Sequence, residues 1–491
     1  PTCMGYWNTG CRSRRWRIKI MDGQHILSVM HKSTASMVFS VLFLLLAGTL
    51  YWDAYWELIW SALAISGLAY GVAKKQALDR MLLAIACLAP LSIKLSLPFA
   101  EVYLPIEFVA SAAALSVLFL VVPQGNVRWF LNYPLPLFWL ISFLPGIYFS
   151  DLLNTSLKFT ALNGVFVIAF YYGAVLVAER GKSVLYLPFI AALVPVTVMG
   201  VYHFVQYGFN PITISGIFKP FFYSHTMYGA VMAFIAAIAL GNLRQKRLWK
   251  WILLASIILT LFSGSRAALW SLVFMFVLYV LVQFPAVYRV VLPVLAMGAI
   301  FVFGGALKVQ DAFAYNNYES HDPQASLVEK SMSVTNVQTD ASNIERLNRW
   351  VSALRMFEER PYFGFGPGTY QFTYIPFQEK RLENRLTVTN PNAPPPGSGG
   401  TAHSELLLQL SENGILTPLI FLFMWMRWWY FGFFSIARRS PLLPLFLGLS
   451  TYFFHMQFNN FLNQPVFAFL FWATAAYFDF QLSSKDDELL R

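Results

Sequence analysis

Seven histidines occur in this 491-residue chain, and five lie beyond its N-terminal tail: His203, His225, His321, His403 and His455. Imidazole changes charge near neutral pH, so each is a candidate proton acceptor. His403 has the most suggestive surroundings, Thr401-Ala402-His403-Ser404-Glu405-Leu406-Leu407-Leu408-Gln409-Leu410-Ser411-Glu412-Asn413-Gly414. Leucines fill one helical face there and Asn413-Gly414 supply a stop, which predicts a short helix with His403 in its first turn. A helix N-terminus disfavours the protonated ring and leaves a neutral imidazole suited to general-base work. Capping is the alternative reading, a task that Thr401 could perform instead.

Arg266 is the second candidate, in Ser263-Gly264-Ser265-Arg266-Ala267-Ala268-Leu269-Trp270 between two apolar runs. A permanently charged guanidinium at a membrane boundary points to an anion, and the Ser-Gly-Ser turn would leave backbone amides free to join it. An arginine merely reaching for the headgroups is the alternative. Lys219 is the third, within Gly216-Ile217-Phe218-Lys219-Pro220-Phe221-Phe222-Tyr223-Ser224-His225. Lys94 and Lys158 share its placement without a surrounding constellation, and Glu101 and Glu107 read most simply as partners for Lys94. The sequence has no His-Glu-x-x-His, phosphate loop or Asp-x-Asp pair, so neither a metal nor a cofactor is expected.

The element that must hold these groups is a membrane. With 57% hydrophobic, 17% aromatic and only 12% charged residues, the chain is too apolar for an ordinary soluble domain. Runs able to cross a core of about 30 Å, at roughly 20 residues each, centre on 37–52, 55–73, 81–97, 102–122, 129–149, 157–178 and 184–206. Others follow at 225–241, 248–263, 267–283, 287–306, 414–436, 441–458 and 464–481. Fourteen runs qualify, and merging short neighbours gives twelve. The run 37–52 is read as a retained helix, because Asp53-Ala54-Tyr55-Trp56 and no small-residue cleavage site follows it. Cys3, Cys11 and Cys87 offer neither metal spacing nor a disulfide framework.

The net charge of +11 would suggest nucleic acid in a soluble protein, yet here the excess sits in short loops between apolar runs. Lys and Arg in alternate loops and the tails number 22 on one side and four on the other, the four being Lys94, Lys158, Lys219 and Arg266. The rich side is inside, so the candidate residues face outward. The expected fold is all-α and polytopic, with 12 spans (range 12–14) and one large outside loop of helical and irregular structure. Its divisions are a disordered tail 1–36, helices across 37–307, the loop 308–413, helices across 414–481 and a tail 482–491.

Within the loop, Ser342-Asn343-Ile344-Glu345 has capping-box spacing, and Ile344, Leu347, Val351 and Leu354 repeat at helical intervals. An amphipathic helix ending before Pro361 follows, its apolar face packed on the rest of the loop or on the membrane helices. Gly364-Phe365-Gly366-Pro367-Gly368 is loop chemistry, and 391–400, Pro-rich then Gly-rich, reads as a linker or flap.

The order of these motifs resembles the O-antigen ligase and polymerase superfamily: Ser-x-Ser-Arg at a helix junction, a large loop, Pro-x-x-Gly-x-Gly-x-Gly from Pro361 to Gly368, then His-Ser-Glu-Leu-Leu-Leu-Gln-Leu-Ser-Glu-Asn-Gly. The resemblance covers about residues 200–430. It implies a GT-C-like protein of the bacterial inner membrane with its active site toward the periplasm. It further implies transfer of O-antigen glycan from undecaprenyl diphosphate to a sugar hydroxyl of lipid A-core, with inversion and without nucleotide or metal. His403 matches the general base of that family and Arg266 the arginine on the diphosphate. Lys219 stands where relatives usually carry arginine and His225 where they often carry asparagine.

Within the family, a glycan polymerase or a protein O-oligosaccharyltransferase would present the same motifs. From other classes, a lipid-linked glycan transporter would need polar residues lining a route through the bilayer, and a scaffold would not depend on His403 or Arg266.

Overall fold

The computed structural model describes residues 77–97, 100–121, 127–181, 186–208, 211–284, 339–390, 400–434 and 440–489, with single positions at 290, 293, 329, 333 and 336. They belong to the compact unit Gly67–Arg491. The tail 1–36, the expected spans 37–52, 55–73 and 287–306, His321 and residues 391–399 lie outside the described residues.

Helices dominate because an apolar chain in hydrocarbon must satisfy each backbone N–H internally. Three described helical segments are long and apolar enough to cross a membrane: Leu153–Glu179, Tyr186–Gln206 and Pro465–Ser483. Shorter apolar helices accompany them at Ile106–Leu118, Pro134–Tyr148, His225–Gly241, Leu248–Ser263, Arg266–Val282 and Leu442–His455. In chain order we label α1 (Ala77–Leu88), β1 (Ile93–Leu97), β2 (Ala100–Leu104), α2 (Ile106–Val121), α3 (Pro134–Ile141), α4 (Leu144–Tyr148) and α5 (Leu153–Phe166). There follow α6 (Gly173–Glu179), α7 (Tyr186–Gln206), α8 (His225–Gly241), α9 (Arg247–Ser263) and α10 (Arg266–Val282). The last are α11 (Ala341–Glu359), α12 (Tyr370–Thr373), α13 (Glu405–Asn413), α14 (Leu416–Phe434), α15 (Leu442–His455) and α16 (Pro465–Leu489).

Two expected spans are corrected. The run 81–97 is helical only to Leu88, after which Ala89-Pro90 tighten the chain into a single 3₁₀ turn and an antiparallel hairpin follows. Ile93-Lys94-Leu95-Ser96-Leu97 alternates with the period of a strand, a signal that the total apolarity of the window hides. The fold is therefore helical with one small two-stranded sheet, not strictly all-α. The run 129–149 is broken into a 3₁₀ stretch, Val127–Asn132, then α3 and α4. Pro134 and Pro145, which cannot donate a backbone hydrogen bond, sit at the two breaks.

The helix at the centre is α8, buried from Met227 to Leu240 and packed on α9, α10 and α15. Between α5 and α6 the chain widens into a π turn, Val167–Tyr172. Tyr171 Oη from that turn donates to Asp479 Oδ2 at 2.6 Å, and Arg427 and Trp428 hold the same carboxylate. A buried aspartate in an apolar helix is thus neutralised by three donors from two other segments, which ties α14 and α16 to the π turn.

The segment 339–413 has a small core of its own: Ala353, Met356, Phe365, Tyr370, Tyr374, Val388, Ala402 and Leu408. The structure reverses the expected face of α11. Its buried residues are Asn343, Glu345, Asn348, Arg349, Ser352, Ala353 and Met356, whereas Leu354 is 44% exposed. The N-cap is Asp340, whose Oδ1 accepts from the amides of Ser342 and Asn343, two residues upstream of the capping box read from the sequence. Burying a polar face calls for partners, and the ones found here define the candidate site.

Candidate active site

The junction between α9 and α10 places Arg266. Gly264 ends α9 in the left-handed region, and Ser265 Oγ caps α10 by accepting from Ala268 N at 3.4 Å. The amides of Gly264 and Ser265 are consumed inside the turn by Leu261 O and Ser263 Oγ. The amides of Gly264, Ser265 and Ala268 are thus used within the junction, which presents the side chain of Arg266 at the first helical position. A Cβ on Gly229 of α8 would fall 2.5 Å from Ser263 Oγ, so only glycine lets α8 seat this closely on the turn.

Arg266 reaches α11 and the segment before it. Its Nη1 donates to Ser333 Oγ at 2.6 Å and pairs with Asp340 Oδ2 at 3.4 Å, and its Nη2 donates to Asn343 Oδ1 at 3.3 Å. The same aspartate caps α11, so the membrane helix and the loop helix are locked at one carboxylate. One turn further, Arg349 is buried, with Nε on Glu345 Oε1 at 2.8 Å and Nη1 on Thr401 O at 3.0 Å. Glu345 Oε2 accepts from Thr387 Oγ1 at 2.9 Å.

Between these two paired arginines stands Arg346, which sequence reasoning did not single out. Its Nε is buried without a hydrogen-bond partner. Burial, then the charge of Arg266, hold it down to about 10, with Asp340 opposing and Arg349 adding to the effect. Three guanidiniums from two helices thus meet beside two carboxylates, Asp340 and Glu345, and the middle one has its Nε without a partner. The readable signal was the i, i+3 spacing of Arg346 and Arg349, which puts both on one side of a helix.

His403 adjoins this cluster through Thr401. It precedes the cap Ser404, whose Oγ accepts from Leu407 N at 3.4 Å, so it lies before α13 and not in its first turn. Its backbone has φ 51°, the left-handed region, where a side chain costs about 1–3 kcal/mol unless its neighbours fix it. Those neighbours are present: Arg349 on Thr401 O before it, and Glu405 N on Met456 O at 2.9 Å after it. Burial holds the imidazole well below its usual range, and Arg349 and Arg346 push it further down. The neutral ring expected from a helix dipole is present for a different reason, desolvation beside two cations.

The glycine-rich turn supports α13 from beneath. Phe365 N and Gly366 N donate to Ser411 O and Glu412 O at 3.1 and 2.8 Å, and Tyr370 N donates to Glu412 Oε1 at 2.9 Å. A Cβ on Gly364 would lie 2.3 Å from the carbonyl carbon of Glu412. Burial raises Glu412 to about 8 and Glu405 to about 7, the latter accepting from Tyr452 Oη at 2.8 Å. Burial thus favours the protonated form of both carboxyls that brace α13, Glu412 more than Glu405.

The remaining candidates are placed as follows. His225 begins α8, and its Nδ1 sits 2.8 Å from Ser263 O, so it fastens the Arg266 turn. His203 Nδ1 is 2.8 Å from Ile217 O, where it pins the loop that carries Lys219. His455 contacts Asn459 at 3.3 Å. Lys219 is exposed, with Nζ 5.3 Å from the centre of the Tyr223 ring. Lys94 Nζ lies 5.0 Å from the same ring, and Glu107 has Lys158 as its charged neighbour. No cluster of three or more His, Cys, Asp or Glu able to hold a metal ion occurs among the described residues.

The fold is helical, with three apolar helices of membrane-spanning length, and at the site a neutral histidine and three arginines converge where α10 meets α11 and the turn before α13. Residues 251–422 match the family model described as O-antigen ligase, and that match supports membership of the O-antigen ligase superfamily. The matched segment contains Arg266, Arg346, Arg349 and His403 and excludes Lys219 and His225. The chain matches no curated protein.

Proposed function

We propose that the protein is an O-antigen ligase of the bacterial inner membrane, with 12–14 spans and its site turned to the periplasm. It transfers a glycan from undecaprenyl diphosphate to a sugar hydroxyl of lipid A-core. The observation that carries this reading is the juxtaposition of a guanidinium whose Nε has no partner, Arg346, with a neutral imidazole, His403. The acceptor oxygen attacks the anomeric carbon as the bond from that carbon to the diphosphate oxygen breaks, which inverts the centre. The acceptor proton passes to a ring nitrogen of His403, and the electron pair leaves with the diphosphate. Arg266 and Arg346 stabilise the charge that develops there, with Lys219 and His225 on the adjoining loop.

An anion between Arg346 and Arg349 would also screen their charge from His403 and raise its basicity when the donor is bound. The site would then become competent only once loaded. Purified protein, lipid-linked glycan and lipid A-core, mixed without nucleotide, give the test. Wild type should form glycosylated core, and His403→Asn, chosen because Asn tolerates the left-handed backbone, should lose about 10²- to 10⁴-fold in rate. Glycan added to a second lipid-linked glycan instead of the core would mean a polymerase, and full transfer by His403→Asn would remove the base from the mechanism.

A further inference from the structure

We infer that the turn between α8 and α9 is a binding site for an anionic phospholipid of the leaflet opposite the candidate active site. From residue 244 to residue 250 it carries Arg244, Lys246, Arg247 and Lys250, all four exposed. None of them pairs with a carboxylate among the described residues, and the first turn of α9 holds no acidic side chain. Asp and Glu are missing from the whole sequence between Glu179 and Asp311. A cluster of cations at the end of an apolar helix attracts anionic headgroups, and here no neighbouring carboxylate answers it.

The surface below the cations suits acyl chains. The buried residues of α9 are Ser256, Thr260 and Ser263, and Thr260 Oγ1 and Ser263 Oγ are satisfied within the helix by Ser256 O and Thr260 O at 2.8 and 2.7 Å. Trp251, Leu254, Ile258 and Leu261, spaced i, i+3, i+7 and i+10, form the exposed stripe. Small hydroxyl residues inward and large apolar ones outward is the pattern of a helix that faces lipid. Trp251, 60% exposed, stands one turn from Arg247, at the level where an indole prefers the boundary between chains and headgroups. The 17 residues of α9 span ~25 Å, close to the thickness of the hydrocarbon core, so the cations and the Arg266 turn stand at opposite faces. The backbone that presents the cations is fixed. Asn242 is buried with Nδ2 on Ile238 O at 2.9 Å, Gln245 N donates to Asn242 O at 2.9 Å, and a Cβ on Gly241 would fall 2.4 Å from Pro444 Cα of α15. A soluble anion would use only the charges, whereas a phospholipid uses the charges and the stripe together.

The test reads lipid binding directly. Protein in dodecyl maltoside is titrated with dioleoyl phosphatidylglycerol and, separately, with dioleoyl phosphatidylcholine, and bound lipids are counted by native mass spectrometry. Wild type should bind the anionic lipid more than about tenfold more tightly, and the preference should shrink as salt is raised. Arg244→Ser, Lys246→Ser and Lys250→Ser should each weaken phosphatidylglycerol about fivefold, the equivalent of ~1 kcal/mol per cation near a membrane surface. The variant with all four cations replaced by Ser should bind the two lipids alike. Lys246→Arg, which keeps the charge, should bind as wild type, and so should Lys380→Ser, which removes an exposed cation from the long loop. Equal binding of the two lipids by wild type, or wild-type selectivity in the fourfold variant, would overturn the inference. Displacement of phosphatidylglycerol by an equal concentration of inorganic phosphate would also overturn it, by showing a site for a soluble anion. A wild-type dimer that becomes monomeric in the fourfold variant, with lipid binding unchanged, would assign the surface to a second copy of the chain instead. Glycan transfer does not enter the readout, so failure of the ligase reading leaves this inference standing, and the reverse holds as well.

Discussion

Replacing Arg346 by Met separates a binding role from a structural one. The guanidinium is held down to about 10 from 12.5, which at ~1.4 kcal/mol per pH unit disfavours its charged form by at most roughly 3.5 kcal/mol. Below that pH the folded protein carries this cost, and Met removes the charge while keeping the apolar stem. Nε has no partner, so no hydrogen bond is lost at that atom. Arg346→Met should therefore melt at the wild-type temperature or above it in detergent, while the rate of glycan transfer falls about 10²- to 10³-fold, as when one donor to a developing oxyanion is removed. Initial rates at saturating acceptor, beside a melting curve for the same preparation, decide the matter. A lower melting temperature with transfer within tenfold of wild type would show that Arg346 supports the loop and not the diphosphate.

Because burial, Arg349 and Arg346 depress His403, the acid limb of kcat/KM should lie below pH 6.5, with activity retained as pH falls through the ordinary histidine range. Arg346→Met should move that limb to higher pH; an unshifted limb would disconnect the two residues. Glu412 is raised to about 8 from 4.5, so the folded state holds a proton that the unfolded state releases. Its contribution to stability is full below about pH 4.5 and lost as pH rises to about 8. Glu412→Gln should flatten the fall in melting temperature between pH 5 and 8.5, and a variant curve parallel to wild type would contradict this. Gly364→Ala, with φ 65° and a Cβ 2.3 Å from Glu412, should destabilise the protein by more than about 2 kcal/mol, read as a lower melting temperature and faster proteolysis of the long loop.

Composition was enough to anticipate apolar helices of membrane-spanning length. Strong apolar periodicity does this without tertiary information, because lipid admits few backbone solutions. The bounds of α8 and the Asn413-Gly414 stop of α13 were legible for the same local reasons. Local patterns failed where a polar face is buried. Ile344, Leu347, Val351 and Leu354 looked like the inner stripe of α11, yet Arg349, Glu345 and Asn348 turn inward because Thr401 O, Thr387 and Glu379 N await them. The hairpin at Ile93–Leu104 was hidden by total hydropathy for a related reason, since apolarity measures the solvent and not the period. His403 could be named from its motif, but its neutral ring comes from burial beside Arg349 and Arg346 and its aim from a left-handed backbone. Both depend on residues about fifty positions away, so they exist only once the chain has folded.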